Sequence, residues 1–284
     1  MKIVRLGMTE SGLVFMFFLL KTYQFDQEKT VLIKKQILSM VNWLYTTSGY
    51  YDKTVRGSHF DFDETALNGR FHEFMWHLET AIGDCEETHF FFHPPILEMM
   101  MQYQNAFTKA YRIRNMVILN GTQFTDRIAE VFGYMAGRKV LVVSSFDGLI
   151  QSQYQSGNVF KVYDAFPKLA SLQTVKTPYT FENDGPDANY HETLETIWKA
   201  IQPLDFDVAV LGCGCYGHKL THHIHAELDR DAIYLGGSIT NLFGILTARE
   251  KQANVIRPNS FWITDIPEEY RPANYKNIEN GCYW

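Results

Sequence analysis

The run Val208-Ala209-Val210-Leu211 stops at a turn spelled Gly212-Cys213-Gly214-Cys215-Tyr216-Gly217, and a helix-like stretch over residues 216–228 follows at once. A short buried strand that feeds a glycine turn and then a helix restricts a chain to α/β arrangements. Glycine lets another group come close to the backbone. The helix start adds unpaired N–H groups and the positive end of a dipole, the common seat of a phosphate. Read literally, the spacing is the G-x-G-x-x-G of dinucleotide sites.

The same alternation runs along the chain. Residues 2–6, 90–92, 116–119, 139–144, 172–176 and 232–235 read as further strands. Between them, helices are expected from near Glu10, over 31–45, 65–82, 96–110, 126–136, 149–155 and 191–201. The core stripe of the second is read as Val31, Ile37, Leu38, Val41 and Leu44. Asp63 and Asp147 are placed as N-caps of the helices that follow them. The expected fold is one Rossmann-like α/β domain over residues 1–284, a mainly parallel sheet with helices on both faces. Ligands in such folds sit outside the carboxyl ends of the strands. Residues 258–284, with three prolines and no periodicity, read as a tail wrapped over the surface.

Charge and cysteine usage remove several classes. A net charge of −6 argues against nucleic acid as the main partner, because phosphate-backbone binding uses clustered Lys and Arg. The four cysteines, Cys85, Cys213, Cys215 and Cys282, have neither a disulfide-framework spacing nor a second pair for zinc. The apolar stretch 13–20 is too short to span a bilayer, and Met1-Lys2-Ile3-Val4-Arg5 reads as a strand and not as a signal peptide. A cytoplasmic protein is expected, for which the sequon Asn120-Gly121-Thr122 has no meaning. The four histidines of 218–225 suggest zinc, but their spacing dictates no third ligand. Asp61-Phe62-Asp63-Glu64 contains an Asp-x-Asp, which helix capping by Asp63 also explains.

A nicotinamide site needs an acid at the end of the strand after the glycine turn. Here that strand ends in Gly236-Gly237-Ser238, and Asp229 and Asp231 precede it. The missing acid makes an NAD-dependent oxidoreductase the alternative reading, beside that of a nucleotide-sugar site, and Gly236-Gly237 offers a second place where backbone can approach a ligand.

The block Phe206-Asp207-Val208-Ala209-Val210-Leu211-Gly212-Cys213-Gly214-Cys215-Tyr216-Gly217, with Ile233-Tyr234-Leu235-Gly236-Gly237-Ser238 and Leu242-Phe243-Gly244-Ile245, resembles the carboxyl-terminal signature of the GT-D-fold glycosyltransferases. Residues 139–146 with Gln153-Tyr154 are similar to that family's central strand and helix, and Arg5-Leu6-Gly7-Met8-Thr9-Glu10 to its amino-terminal turn. The resemblance implies transfer of a sugar from a nucleoside diphosphate, usually UDP, to a hydroxyl of a glycan or glycoprotein acceptor. It implies Arg5 and Glu10 as catalytic groups and Arg249 as a phosphate partner. Gly7, Ser144, Ser145, Gly212, Cys213, Gly214, Tyr216, Gly217, His218, Gly236, Gly237 and Ser238 complete the expected nucleotide-sugar site. Some members carry Asp-x-Glu in the amino-terminal turn as a metal motif; Met8 stands at the Asp position here. Glu10 is left as either a ligand of Mn²⁺ or Mg²⁺ or a general base. A catalytically silent nucleotide- or glycan-binding protein is the reading that Met8 keeps open.

Overall fold

The computed structural model describes residues 1–46, 48–53, 72–119, 127–254 and 256–284. The Asp61–Glu64 segment, the expected cap Asp63 and the sequon at Asn120 lie outside these residues. Strands β1 (Lys2–Leu6), β2 (Glu87–Phe90), β3 (Met116–Ile118), β4 (Lys139–Ser144), β5 (Ser171–Lys176), β6 (Val208–Gly212) and β7 (Asp231–Tyr234) form one seven-stranded sheet. Its order is β3-β2-β1-β7-β6-β4-β5, and every pairing is parallel. The α/β, Rossmann-like expectation holds.

The central strands are apolar throughout because both of their faces are covered. Val140, Val142, Val208, Val210 and Ile233 join one buried cluster, while Leu141, Val143, Ala209, Leu211 and Ala232 join the other. The helices are α1 (Met8–Thr22), α2 (Gln27–Thr46), α3 (His72–Ile82), α4 (Pro94–Ala110), α5 (Ile128–Met135), α6 (Asp147–Gln155), α7 (Tyr190–Ile201) and α8 (Tyr216–Leu228). Residues of α1–α4, α7 and α8 pack on the face of Leu141 and Leu211; α5, α6 and parts of 239–284 pack on the face of Val140 and Val210.

That division follows from handedness. Right-handed crossovers place a helix on one face when the chain steps one way along the sheet, and on the other when it steps back. The steps β1→β2→β3 and β5→β6→β7 run one way, and β3→β4→β5 runs the other. The chain therefore leaves the neighbours β4 and β6 in opposite directions. A crevice opens between their carboxyl ends, the usual ligand position in a doubly wound sheet.

α1 is buried almost all round, through Leu13, Val14, Phe15, Met16, Phe18 and Leu19. Gly12 lets Met40 and Ile96 close on it: a Cβ there would lie 3.1 Å from Met40 and 3.2 Å from Ile96. Each such large apolar side chain contributes about 1.5–3 kcal/mol on burial.

Several expectations need correction. The stripe of α2 holds at Ile37, Val41 and Leu44, but Val31 is 45% exposed, Ile33 is buried in its place, and Leu38 is only half-buried. Asp147 is the first residue of α6; Phe146 holds the cap position, and no side chain caps it. β2 ends at Phe90 instead of spanning 90–92, because its register is set by pairing with β1 and β3. The 258–284 segment does more than cross the surface: Ile266, Ile278 and Trp284 enter the second core. All four cysteines are free and buried. Among the described residues no helix is long and apolar enough to cross a membrane.

Candidate active site

A cavity of about 460 Å³ opens at the carboxyl ends of β1, β7, β6 and β4, within the range of small-molecule sites. Its lining brings together Arg5, Gly7, Glu10, Ser145, Gly212, Cys213, Gly214, Gly236, Gly237 and Arg249, residues separated by up to 244 positions in the chain.

Two guanidiniums rest on the turn after β7. A Cβ at Gly236 would lie 2.5 Å from Arg5 Nη1, and one at Gly237 would lie 3.2 Å from both terminal nitrogens of Arg249. Gly236 also has φ +59°, a conformation that disfavours side chains. The paired glycines thus leave room for the two cations. Arg5 Nη1 donates to the carbonyl of Leu235 at 3.1 Å, while its Nε is buried without a partner. No carboxylate among the described residues forms an ion pair with Arg5. Burial lowers its pKa, and Arg249 pushes the same way.

Arg249 is better supported. Its Nε and Nη2 donate to Glu250 Oε1 at 2.9 and 2.7 Å, and its guanidinium lies 5.5 Å from the centre of the Tyr283 ring. Glu250 is itself buried, and its other oxygen accepts from the Thr247 hydroxyl and, at 3.2 Å, from the Thr247 backbone N–H. This is the capping box of the helix Ala248–Ala253. Burial pulls Arg249 down, but Glu250 more than offsets it and lifts the pKa above the usual guanidinium value.

Glu10, in the first turn of α1, folds back over Gly7, where a Cβ would lie 2.5 Å from its Oε2. Burial drives its carboxyl above the ordinary carboxylate range; its own backbone N–H and Arg5 only partly oppose that. A carboxyl raised in this way holds its proton more readily than a surface carboxylate, the direction of shift that general acid–base groups share.

The glycine turn after β6 divides its labour. Gly214, at φ +56°, has no atom within 4 Å of its Cβ position and presents bare backbone at the cavity, while its carbonyl accepts from Tyr234 Oη at 2.8 Å. Gly212 permits close approach: a Cβ would meet Ile239 at 2.1 Å and the Gly236 carbonyl at 2.7 Å.

Five expected residues lie outside the lining. Gly217 packs on Tyr234, whose ring a Cβ would meet at 2.2 Å. Tyr216 is buried, stacked on Tyr190 at 5.0 Å, and its hydroxyl donates to Thr180 at 2.9 Å. Ser144 Oγ accepts from the Phe146 backbone N–H, and Ser238 is buried in the turn after β7. His218 is enclosed beneath Arg5, and its Nε2 donates to the Arg5 carbonyl at 3.1 Å. Its Nδ1 then accepts from Tyr50 Oη at 3.2 Å, and burial pushes its pKa down to about 4. A neutral ring with both nitrogens engaged is a strut under β1, not a phosphate donor.

The histidines of α8 do not converge: His223 pairs with Glu227, and His225 Nδ1 donates to the Arg230 carbonyl at 3.3 Å. No group of three or more His, Cys, Asp or Glu able to hold a metal occurs among the described residues. Mn²⁺ or Mg²⁺ draws on several oxygen ligands. Here Met8 offers no oxygen, Arg5 and Arg249 share the wall with Glu10, and the Glu279 carboxylate accepts from Tyr283 at 3.1 Å. This donor set does not fit a resident divalent ion.

Sequence reasoning missed a wall of rings, Phe146, Tyr179, Phe181 and Trp284, and also the exposed Trp43 and half-buried Phe91 in the lining. Phe146 and the 178–181 segment directly follow β4 and β5, so position at a strand end was the available signal. Trp284 offered none. The aromatic residues of 90–111 mostly pack on one another and on α1, as in Phe18–Phe107 at 5.3 Å. No protein family matches this chain, and no curated protein or solved structure does.

Proposed function

We propose that the chain is a glycosyltransferase that takes a sugar from a nucleoside diphosphate, UDP in the first instance, and passes it to a hydroxyl of a glycan acceptor. One observation carries the reading: Arg5 is a partly buried guanidinium with an enclosed, unpartnered Nε and no ion pair among the described residues, beside a second arginine and sharing a cavity with an open glycine backbone. An uncompensated cation in such a place is costly, and a diphosphate supplies the missing charge.

The chemistry follows from those positions. The acceptor oxygen bonds to the anomeric carbon as the bond from that carbon to the diphosphate oxygen breaks, and Glu10 takes the acceptor's proton. Arg5, Arg249 and the backbone of the 212–214 turn stabilise the charge growing on the leaving diphosphate. No step needs a metal.

The ends of β6 and β7 bear on the nicotinamide alternative. β7 pairs in parallel beside β6, as a dinucleotide fold requires, but passes directly into Leu235-Gly236 with no acid to hold a ribose. The test is a calorimetric titration with UDP, with and without Mn²⁺, against NAD⁺. UDP binding independent of Mn²⁺ is expected, with UDP-sugar turnover lost in Glu10→Ala. NAD⁺ binding without UDP binding would sink the proposal. UDP binding with equal turnover in Glu10→Ala and wild type would remove Glu10 as the base, and no turnover in wild type would leave a binding protein.

A further inference from the structure

We infer that the rings Phe146, Tyr179, Phe181 and Trp284, over the ends of β4 and β5, form the subsite for the heterocyclic base of a nucleoside diphosphate. The inference rests on the diphosphate reading of the two arginines and fixes which way the donor lies across the sheet.

Topology sets the direction. The arginines sit on the turn after β7, the bare turn follows β6, and the rings begin after β4, so the three stand in strand order along the cavity floor. From β7 to β4 is two strand spacings, about 10 Å at ~4.8 Å each. A ribose belongs in that gap, over the crevice between β6 and β4. On the other side of the arginines, α1 carries Glu10, and Met8, 37% exposed, stands nearby. That open flank is left for the acceptor.

The rings themselves are suited to a flat base. Tyr179 touches each of the other three, with centroids 6.3 Å from Phe146, 6.4 Å from Phe181 and 5.3 Å from Trp284. Such a wall stacks any base, because every base has a π face. Its polar edge is unfinished. The Tyr179 hydroxyl lies near the Trp284 indole N–H and the Ser145 hydroxyl without a well-formed hydrogen bond to either. A base edge, with carbonyl and N–H groups side by side, is the partner that completes it. The alternating sequence Pro178-Tyr179-Thr180-Phe181 serves both sides of the site: Tyr179 and Phe181 supply rings, while Thr180 Oγ1 donates to the Gly49 carbonyl at 3.1 Å and fastens the loop.

Calorimetry on the full chain separates this inference from the one beneath it. The probes are UDP, CDP, ADP, GDP and inorganic pyrophosphate, on wild type, Phe181→Ala and Phe181→Trp. At least one nucleotide is expected to bind ten times or more tightly than pyrophosphate. Phe181→Ala should cut that affinity about tenfold to hundredfold and leave pyrophosphate within twofold, with Phe181→Trp restoring the loss. Thermal melts of the variants within a few degrees of wild type verify that the fold is kept. If pyrophosphate binds as tightly as every nucleotide, or Phe181→Ala weakens both alike, the base subsite is overturned and the diphosphate site stands. If the wild type binds no probe, both fall.

Discussion

Gly236 meets two demands that no other residue type meets together: a left-handed backbone and an empty volume filled by Arg5 Nη1. Gly236→Ala is expected to cost about 1–2 kcal/mol from the backbone alone, and also to displace Arg5. A melt would show a drop of a few degrees, and a UDP titration a loss of about tenfold or more. Gly237→Ala, with ordinary φ and a Cβ 3.2 Å from Arg249 where that of Gly236 would lie 2.5 Å from Arg5, should be milder in both. Two buried titratable groups give opposite pH signatures. Glu10 holds its proton to higher pH in the folded chain than in the unfolded one, so above about pH 4.5 the native state binds more protons and stability falls as pH rises through that window. Glu10→Gln should therefore melt higher than wild type at pH 7–8 and equally at pH 4. His218, depressed to about 4, works the other way: the unfolded chain takes up its proton first, and stability is lost as pH falls from about 6.5 to about 4. The full effect is on the order of 3 kcal/mol, and His218→Gln should flatten that part of the melting profile. His77 and His222, also held down by burial, keep the remainder.

Among elements, α8 shows how a motif is divided between ligand and packing. Its turn reads as one phosphate loop, but only its first half faces the cavity; Gly217 lets the helix press against Tyr234. Gly217→Ala is expected to destabilise the fold by about 1–3 kcal/mol through overpacking, and to weaken UDP binding only as far as Tyr234 moves. A titration losing a hundredfold with an unchanged melt would contradict that division. The spacing G-x-G-x-x-G cannot distinguish these roles, because strand–helix contact and phosphate approach both require a missing Cβ. The strands at 139–144 and 208–212 were legible for a simpler reason: apolar on both faces, they could only lie inside a sheet. α2 was legible as a helix with its stripe at Ile37, Val41 and Leu44, and misread at its start, since Val31 and Ile33 are equally apolar and packing decides between them. The ring wall was illegible because its members come from three separate segments joined only by the folded sheet.

At the scale of the whole molecule, the doubly wound order explains why one end of the sheet collects the chemistry. Reversing the direction of winding between β4 and β6 opens the crevice, and all strands point the same way into it. The order has a second consequence, for synthesis. β7 is the last strand in the sequence, yet it lies in the middle of the sheet, between β1 and β6. While the ribosome is still making residues 231–234, β1 and β6 each have a facing edge with nothing to pair to. Such edges invite the wrong partners, and pairing across more than 200 residues is slow. In pulse-labelled refolding, amides that join β7 to β1 and β6 should become protected together and late, after those of β4 with β5. A nascent chain arrested before Asp231 would hold Arg5 without the turn that seats it. It would emerge as two sticky halves in need of a chaperone, and neither would bind a nucleotide.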